Sequence, residues 1–233
     1  MTTKFFVGRA GAVAQVETLT ISGTVTVGDT VTVTINQRDV TYTADTATTA
    51  SVATGLAAAL EDTDFPEFQE LSWEASGSTV VGTAIEAGVP HTIAVSDTGT
   101  VVIGTATTIA ATGPNHWDNV DNWGGSLPSA ADDVVLADDA TSILYGWPGS
   151  ELVLGNLRIE ATYGGDIGLP KTNANGYPEY RQTVAYNVTW GSGRIYGTGT
   201  YRLHKGSAAA DIEQFAGTLY FMGLPNTAVI EIL

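Results

Sequence analysis

The sequence predicts a mainly β protein: an N-terminal β-sandwich with one short helix, followed by a jelly-roll or short β-solenoid domain. Three observations lead to this prediction. Thr and Val alternate over short segments of the first half, a single segment there has helical spacing, and glycine repeatedly precedes a short strand-like segment in the second half. The 233 residues are enough for two domains of roughly 100 residues, each with its own core.

The first half has the pattern of a β meander interrupted by one helix. Residues 30–36 alternate valine or isoleucine with threonine, as in a strand with one buried face. The period changes near 49–61, where a threonine can cap a helix and apolar residues recur every three or four positions. We therefore predict a β-sandwich module over residues 16–112 with a helix near 49–61 that packs on a sheet. Further strands are predicted at 71–75, 79–83, 91–95 and 101–105.

The first residues precede any clear strand. Residues 4–15 are mostly small or apolar and contain a single arginine, so we predict an N-terminal arm, residues 1–15, that docks on another protein. The apolar run of residues 5–7 ends at Gly8 and Arg9, and it is too short to be the apolar region of a secretory signal peptide. No apolar stretch approaches the length of a membrane span, so a soluble protein is expected.

The second half, residues 113–233, is punctuated by glycine. Glycine precedes an apolar or aromatic strand-like segment at several points, and Gly199 and Gly217 are separated by 18 positions, near the length of one solenoid rung. The other spacings are irregular, which leaves a jelly roll open. The segment with Trp117, Trp123 and then Pro128 resembles the opening of β-solenoid or jelly-roll domains, and this resemblance implies that the tryptophans plug an open core.

Composition excludes several classes of function. The chain has 25 acidic and 9 basic residues. The resulting net charge of −16 opposes binding to nucleic acid. Cysteine is absent, which excludes disulfides, thiol nucleophiles and cysteine-bound metals. No cofactor is expected.

Catalytic and metal sites are not predicted. The three histidines, His91, His116 and His204, are isolated in the sequence and lie near no nucleophile motif, so we expect no enzyme activity. Several aspartates suggest calcium as an alternative, but their spacing does not match a helical calcium loop. These aspartates are Asp118, Asp121, Asp132, Asp133, Asp138 and Asp139.

Contacts with other proteins are predicted at both ends and at one loop. Residues 228–233 alternate like a strand, and an uncapped edge strand favours pairing with another chain. We therefore predict a homo-oligomer, with a trimer favoured, or else a strand that a neighbouring subunit of a different kind completes. Residues 168–181 form a long predicted loop suited to a protein contact. The predicted contact residues are Phe5, Phe6, Val7, Arg9, Leu169, Tyr177, Tyr180, Ile230 and Ile232.

The sequence resembles bacteriophage structural proteins. The resemblance lies in the threonine-rich meander and helix of residues 31–60, in the opening segment 3–16 and in Gly113–Asn119. It implies a non-enzymatic virion protein, made in the host cytoplasm without a signal peptide. The predicted role is a capsid decoration or cement protein that binds the major capsid protein. The alternatives are a tail, baseplate or fibre-base component, or a carbohydrate-binding β-solenoid module.

Overall fold

The computed structural model describes residues 2–148, 152–160 and 162–167, together with strands 182–190, 194–195, 202–204 and 219–221. The mainly β prediction is confirmed. The chain divides into two compact units. We call Ala12–Thr112 the antiparallel unit, and Met1–Gly11 with Gly113–Leu233 the parallel unit, after their strand pairing.

Strands predominate in both units. In chain order, the first half contains β1 (Thr3–Phe5), β2 (Val16–Gly23), β3 (Thr30–Ile35), β4 (Arg38–Thr43), α1 (Thr49–Glu61), α2 (Pro66–Gln69), β5 (Leu71–Ser76), β6 (Thr79–Ala84), β7 (Ile93–Thr98) and β8 (Val101–Ile109). The second half contains a 3-10 helix (Val120–Trp123), β9 (Asp133–Leu136), β10 (Val153–Ile159), β11 (Asp166–Ile167), β12 (Gln182–Trp190), β13 (Arg194–Ile195), β14 (Arg202–His204) and β15 (Leu219–Phe221).

The antiparallel unit is built from two sheets, the helix α1 and the short helix α2. Its sheets have the strand orders β5-β6-β2-β8 and β4-β3-β7, and every pairing in them is antiparallel. The alternation in β3 puts Val31, Val33 and Ile35 in a core shared by both sheets. This arrangement agrees with the predicted β-sandwich.

Helix α1 completes this core. It begins after Thr48, whose side chain accepts a hydrogen bond from the Ser51 N–H, and its buried face includes Leu56 and Leu60. The predicted helix near 49–61 is confirmed. The short α2, with proline in its first turn, was not predicted. Within the described part of the chain, no helix combines the length and apolar character needed to cross a membrane.

The parallel unit has a different sheet. Strands β1, β9, β10, β12 and β14 follow one another, with β15 also beside β12, and all of these pairings are parallel. Leu157 lies opposite Val134, 23 residues earlier, and opposite Val188, 31 residues later. A jelly roll has antiparallel strands, so of the two predicted alternatives the β-solenoid agrees with this register.

The N-terminal residues do not form a separate arm. Strand β1 pairs with β9, and Phe6 N–H donates to the Val135 carbonyl over 3.1 Å. Phe6 packs edge-on against Trp123, with 5.2 Å between ring centroids. The predicted arm over residues 1–15 is therefore corrected: residues 1–11 belong to the parallel unit, because β1 extends its sheet and Phe6 fills its core.

Two tryptophans of the second half, Trp117 and Trp123, lie in the core of the parallel unit, and Trp147 packs against it. Trp117 is 4.5 Å from Trp123 and 4.6 Å from Trp147 between ring centroids, each pair edge-to-face. The Trp123 indole N–H donates to the Trp117 carbonyl over 2.6 Å, which satisfies its buried donor. The prediction that Trp117 and Trp123 fill this core is confirmed.

Candidate functional site at the N-terminal strand

The predicted contact residues near the N-terminus differ in exposure. Phe5 is 56% exposed, whereas Phe6 is 2% exposed. Val7 is half-buried, and Arg9 is exposed. Since Phe6 belongs to the core, the predicted contact is corrected for that residue, and Phe5 is the large apolar side chain of β1 that faces solvent.

The other predicted contact residues, Leu169, Tyr177, Tyr180, Ile230 and Ile232, lie outside the described residues. The predicted loop 168–181 and the predicted terminal strand 228–233 lie outside them as well. The candidate site is therefore built from β1 and the residues that hold it.

Strand β1 has one edge paired with β9 and a second edge that no described strand pairs. Asp133 N–H donates to the Thr2 carbonyl over 2.9 Å, and Phe6 N–H donates to Val135, so residues 2 and 6 direct their backbone groups toward β9. In a strand, neighbouring residues direct these groups to opposite sides. The backbone groups of Thr3 and Phe5 therefore point to the second edge.

Asp132 holds the start of β1. One carboxylate oxygen accepts from the Thr2 N–H and hydroxyl over 2.8 and 2.9 Å, and the other accepts from the Ser129 hydroxyl and N–H over 2.7 and 3.1 Å. The Ser129 hydroxyl, followed by the N–H of Thr2, holds the pKa of Asp132 far below its usual value. At neutral pH the carboxylate is thus a charged acceptor for both segments.

Asn122 holds the residues that follow β1. Its side chain is fully buried, accepts from the Ala10 N–H over 2.9 Å, and donates to the carbonyls of Gly113 and His116 over 2.9 and 2.8 Å. The backbone carbonyl of Asn122 accepts a hydrogen bond from the Val7 N–H over 2.9 Å. The 3-10 helix that contains Asn122 therefore accepts a backbone hydrogen bond on the side away from β9 at Val7, just beyond β1. It makes no such bond at Phe5.

The sequence gives no functional signal for Asn122 and suggests only a calcium ligand at Asp132. The positions of Asn122 next to Trp123 and of Asp132 before a strand give no sign that each binds residues more than a hundred positions away. Both side chains are accounted for by hydrogen bonds within the protein.

The outer face beside Phe5 carries one ion pair and one further carboxylate, that of Asp133 opposite Thr3. Val135 lies opposite Phe5 in β9, and Arg158 lies opposite Val135 in β10. The Arg158 guanidinium donates to Glu160 over 2.6 Å, so its charge is compensated locally. An exposed aromatic ring beside a free strand edge can bind an extended segment of another protein, since the edge supplies hydrogen bonds and the ring supplies apolar area.

The histidines and aspartates have local partners. His91 lies 3.6 Å from Glu70, and His116 lies 3.4 Å from Asp118 and packs on Tyr145. The side chain of His204 is outside the described part. Over the described residues, no group of three His, Asp or Glu side chains is placed to hold a metal ion.

Comparison with known protein families and with curated proteins found no match. The geometry of this site and the sequence resemblance are therefore the basis for a functional proposal.

Proposed function

We propose that the protein is a non-enzymatic virion structural protein, a capsid decoration protein that binds and stabilises the head surface. The resemblance to bacteriophage structural proteins supports the virion role. The observation that carries the binding surface is the contrast within β1: Phe5 is 56% exposed beside a strand edge that no described strand pairs, while Phe6 next to it is core.

The mechanism is attachment by a rigid strand. Asp132 and Asn122 fix both ends of the β1 segment, so binding does not have to order a flexible arm. An extended segment of a capsid subunit would pair with the backbone groups of Thr3 and Phe5 while Phe5 enters an apolar pocket. Complete burial of such a ring contributes about 1.5–3 kcal/mol, so stable attachment requires several copies or additional contacts.

The partner classes follow from this mechanism. The proposed partners are the major capsid protein and other virion subunits. The tail or baseplate alternative uses the same surface with a different partner. The homo-oligomer, with a trimer favoured, rests on residues 228–233 and stays a prediction.

The test is binding of the purified chain to shells assembled from the major capsid protein of the same virus. Wild type and Ile85→Ser should sediment with the shells, whereas Phe5→Ser should stay in the supernatant. Ile85 is the matched control, because it is a 71% exposed apolar residue of the antiparallel unit. Wild-type binding to isolated tails instead of shells would replace the head placement with the tail one. Retained binding by Phe5→Ser would overturn the β1 surface.

A further inference from the structure

Strand β8 is a long edge strand of the antiparallel unit. It runs from Val101 to Ile109, ends the sheet β5-β6-β2-β8, and pairs with no described strand other than β2. All residues from Gly104 to Ile109 are exposed. Edge strands in natural proteins are commonly protected by lysine, proline or inward-pointing charge, and β8 contains none of these.

The backbone groups at the free edge can be assigned from the hydrogen bonds of the sheet. Ile21 of β2 lies opposite Ile103 of β8. The Ile21 N–H donates to the Ser78 carbonyl on the β6 side of β2, and so points away from Ile103. Ile103 N–H in turn donates to the Asp97 carboxylate and not to β2. Because the pattern alternates along an antiparallel ladder, Thr105 and Thr107 also direct their backbone groups away from β2.

The first part of this edge is closed by aspartates. Asp29 accepts the Val101 N–H over 3.1 Å, and Asp97 accepts the Ile103 N–H over 3.0 Å. The Thr105 and Thr107 hydroxyls donate to the buried carboxylate of Glu17 on the inner face of the sheet. Their side chains are therefore satisfied within the chain, whereas their backbone N–H groups face the free edge.

Charge favours a second copy of the same chain at this edge. A net charge of −16 makes two copies repel each other over most of their surfaces. Residues 98–117, which contain β8, include no Asp, Glu, Lys or Arg. Two copies that meet along residues 104–109 thus bring together an uncharged part of the chain, while the carboxylates of Asp29 and Asp97 lie at the other end of β8.

We propose that two copies of this chain pair through β8 as antiparallel strands related by a twofold axis at Ala106. Thr105 of each copy then lies opposite Thr107 of the other, and each such pair exchanges both of its backbone hydrogen bonds. The pairing is self-complementary because the two free-edge residues are equidistant from Ala106. The contact joins two sheets into one continuous sheet and covers part of the exposed Val102 and Ile109.

The test is the mass of the full chain in sedimentation equilibrium from micromolar to millimolar concentration. The mass of wild type should double with increasing concentration, whether it starts from one chain or from the trimer predicted from residues 228–233, and the amides of Thr105 and Thr107 should exchange more slowly in the paired form. Ala106→Glu places two like charges opposite each other on the axis and should weaken dimerisation about tenfold or more. Ser76→Glu is the control, because it adds the same charge at an exposed position of the opposite edge strand β5.

A second pair of variants separates the backbone from the side chain. Thr107→Pro removes the N–H at the free edge without removing a bond to β2, and should give a monomer. Thr107→Val removes the hydroxyl and retains the N–H, and should still dimerise. Circular dichroism checks that each variant is folded. A wild-type mass that does not double by millimolar concentration, or a doubling that persists in both Ala106→Glu and Thr107→Pro, would overturn the proposal.

Discussion

The two units of this protein establish strand register in different ways. In the antiparallel unit, tight turns join neighbouring strands, so that Ile35 pairs with Arg38 and Ser76 with Thr79. In the parallel unit, Leu157 pairs with residues 23 positions earlier and 31 later. Register therefore depends on turn conformation in one unit and on contacts between distant residues in the other.

The residues that specify register differ accordingly. Asn36 and Gln37 both have positive φ, 48° and 65°, the conformation of a type I′ hairpin turn. In the parallel unit, Asp132 joins Thr2 to Ser129, and Asn122 joins Ala10 to the tryptophan segment. Buried polar side chains thus perform in the parallel unit the role that turns perform in the antiparallel unit.

The largest effect is expected from Phe6→Ala. Removal of a buried aromatic ring typically costs about 3–5 kcal/mol of unfolding free energy. Hydrogen exchange should show loss of protection in β9 and β10, because Phe6 packs in their core, while β2 and β3 retain it because they belong to a separate core. Equal loss of protection in both units would contradict the division into two cores.

A smaller loss is expected from Gly82→Ala within the antiparallel unit. A methyl group at Gly82 meets the Trp73 ring at 2.5 Å, and that ring is fixed by a hydrogen bond of 3.0 Å to the Phe68 carbonyl. Overpacking of this kind costs about 1–3 kcal/mol in chemical denaturation. Gly104→Ala is the control in the same sheet, because its added methyl group meets no atom within 4 Å. A loss for Gly104→Ala equal to that for Gly82→Ala would refute the packing explanation.

Asp132→Asn should weaken the parallel unit in a pH-dependent way. The pKa of Asp132 in the folded protein lies far below its ordinary value of 3.8, so the carboxylate stabilises the fold above that pH, and this contribution is lost as the pH falls toward the folded pKa. The variant should therefore melt below wild type at neutral pH, with a difference that shrinks below about pH 4. Melting temperatures over this range measure it, and a constant difference would exclude the ionised carboxylate as the cause.

Gln37→Gly should have the smallest effect and the opposite sign. Glycine adopts positive φ without the penalty of a side chain, and Asn-Gly is a favoured type I′ pair, so we expect a gain of about 1 kcal/mol or less. Denaturant titration measures the change. Thr26→Gly, at a position with no positive φ, serves as the control and should give no gain. A loss of stability in Gln37→Gly would mean that the Gln37 side chain outweighs backbone strain.

Local pattern predicted the antiparallel unit well. The helix near 49–61 is α1, and the predicted strands at 30–36 and 79–83 correspond to β3 and β6. These elements follow from spacing within a few residues, and hairpin turns limit the possible neighbours. In the candidate site, Phe5 and Phe6 were both predicted as contacts, because adjacent phenylalanines in a short apolar segment carry no sign of which one is buried.

The sequence by itself determined the β character, the single long helix of the antiparallel unit, the tryptophan-filled core and the strongly acidic charge. Only the tertiary structure decided that β1 joins the parallel unit, that Phe6 is core while Phe5 is exposed, and that Asp132 and Asn122 hold the strand between them. The physical reason is distance along the chain. Periodicity reports which face of an element is buried, but the partner of a parallel strand is chosen by packing and hydrogen bonds between residues that can lie more than a hundred positions apart.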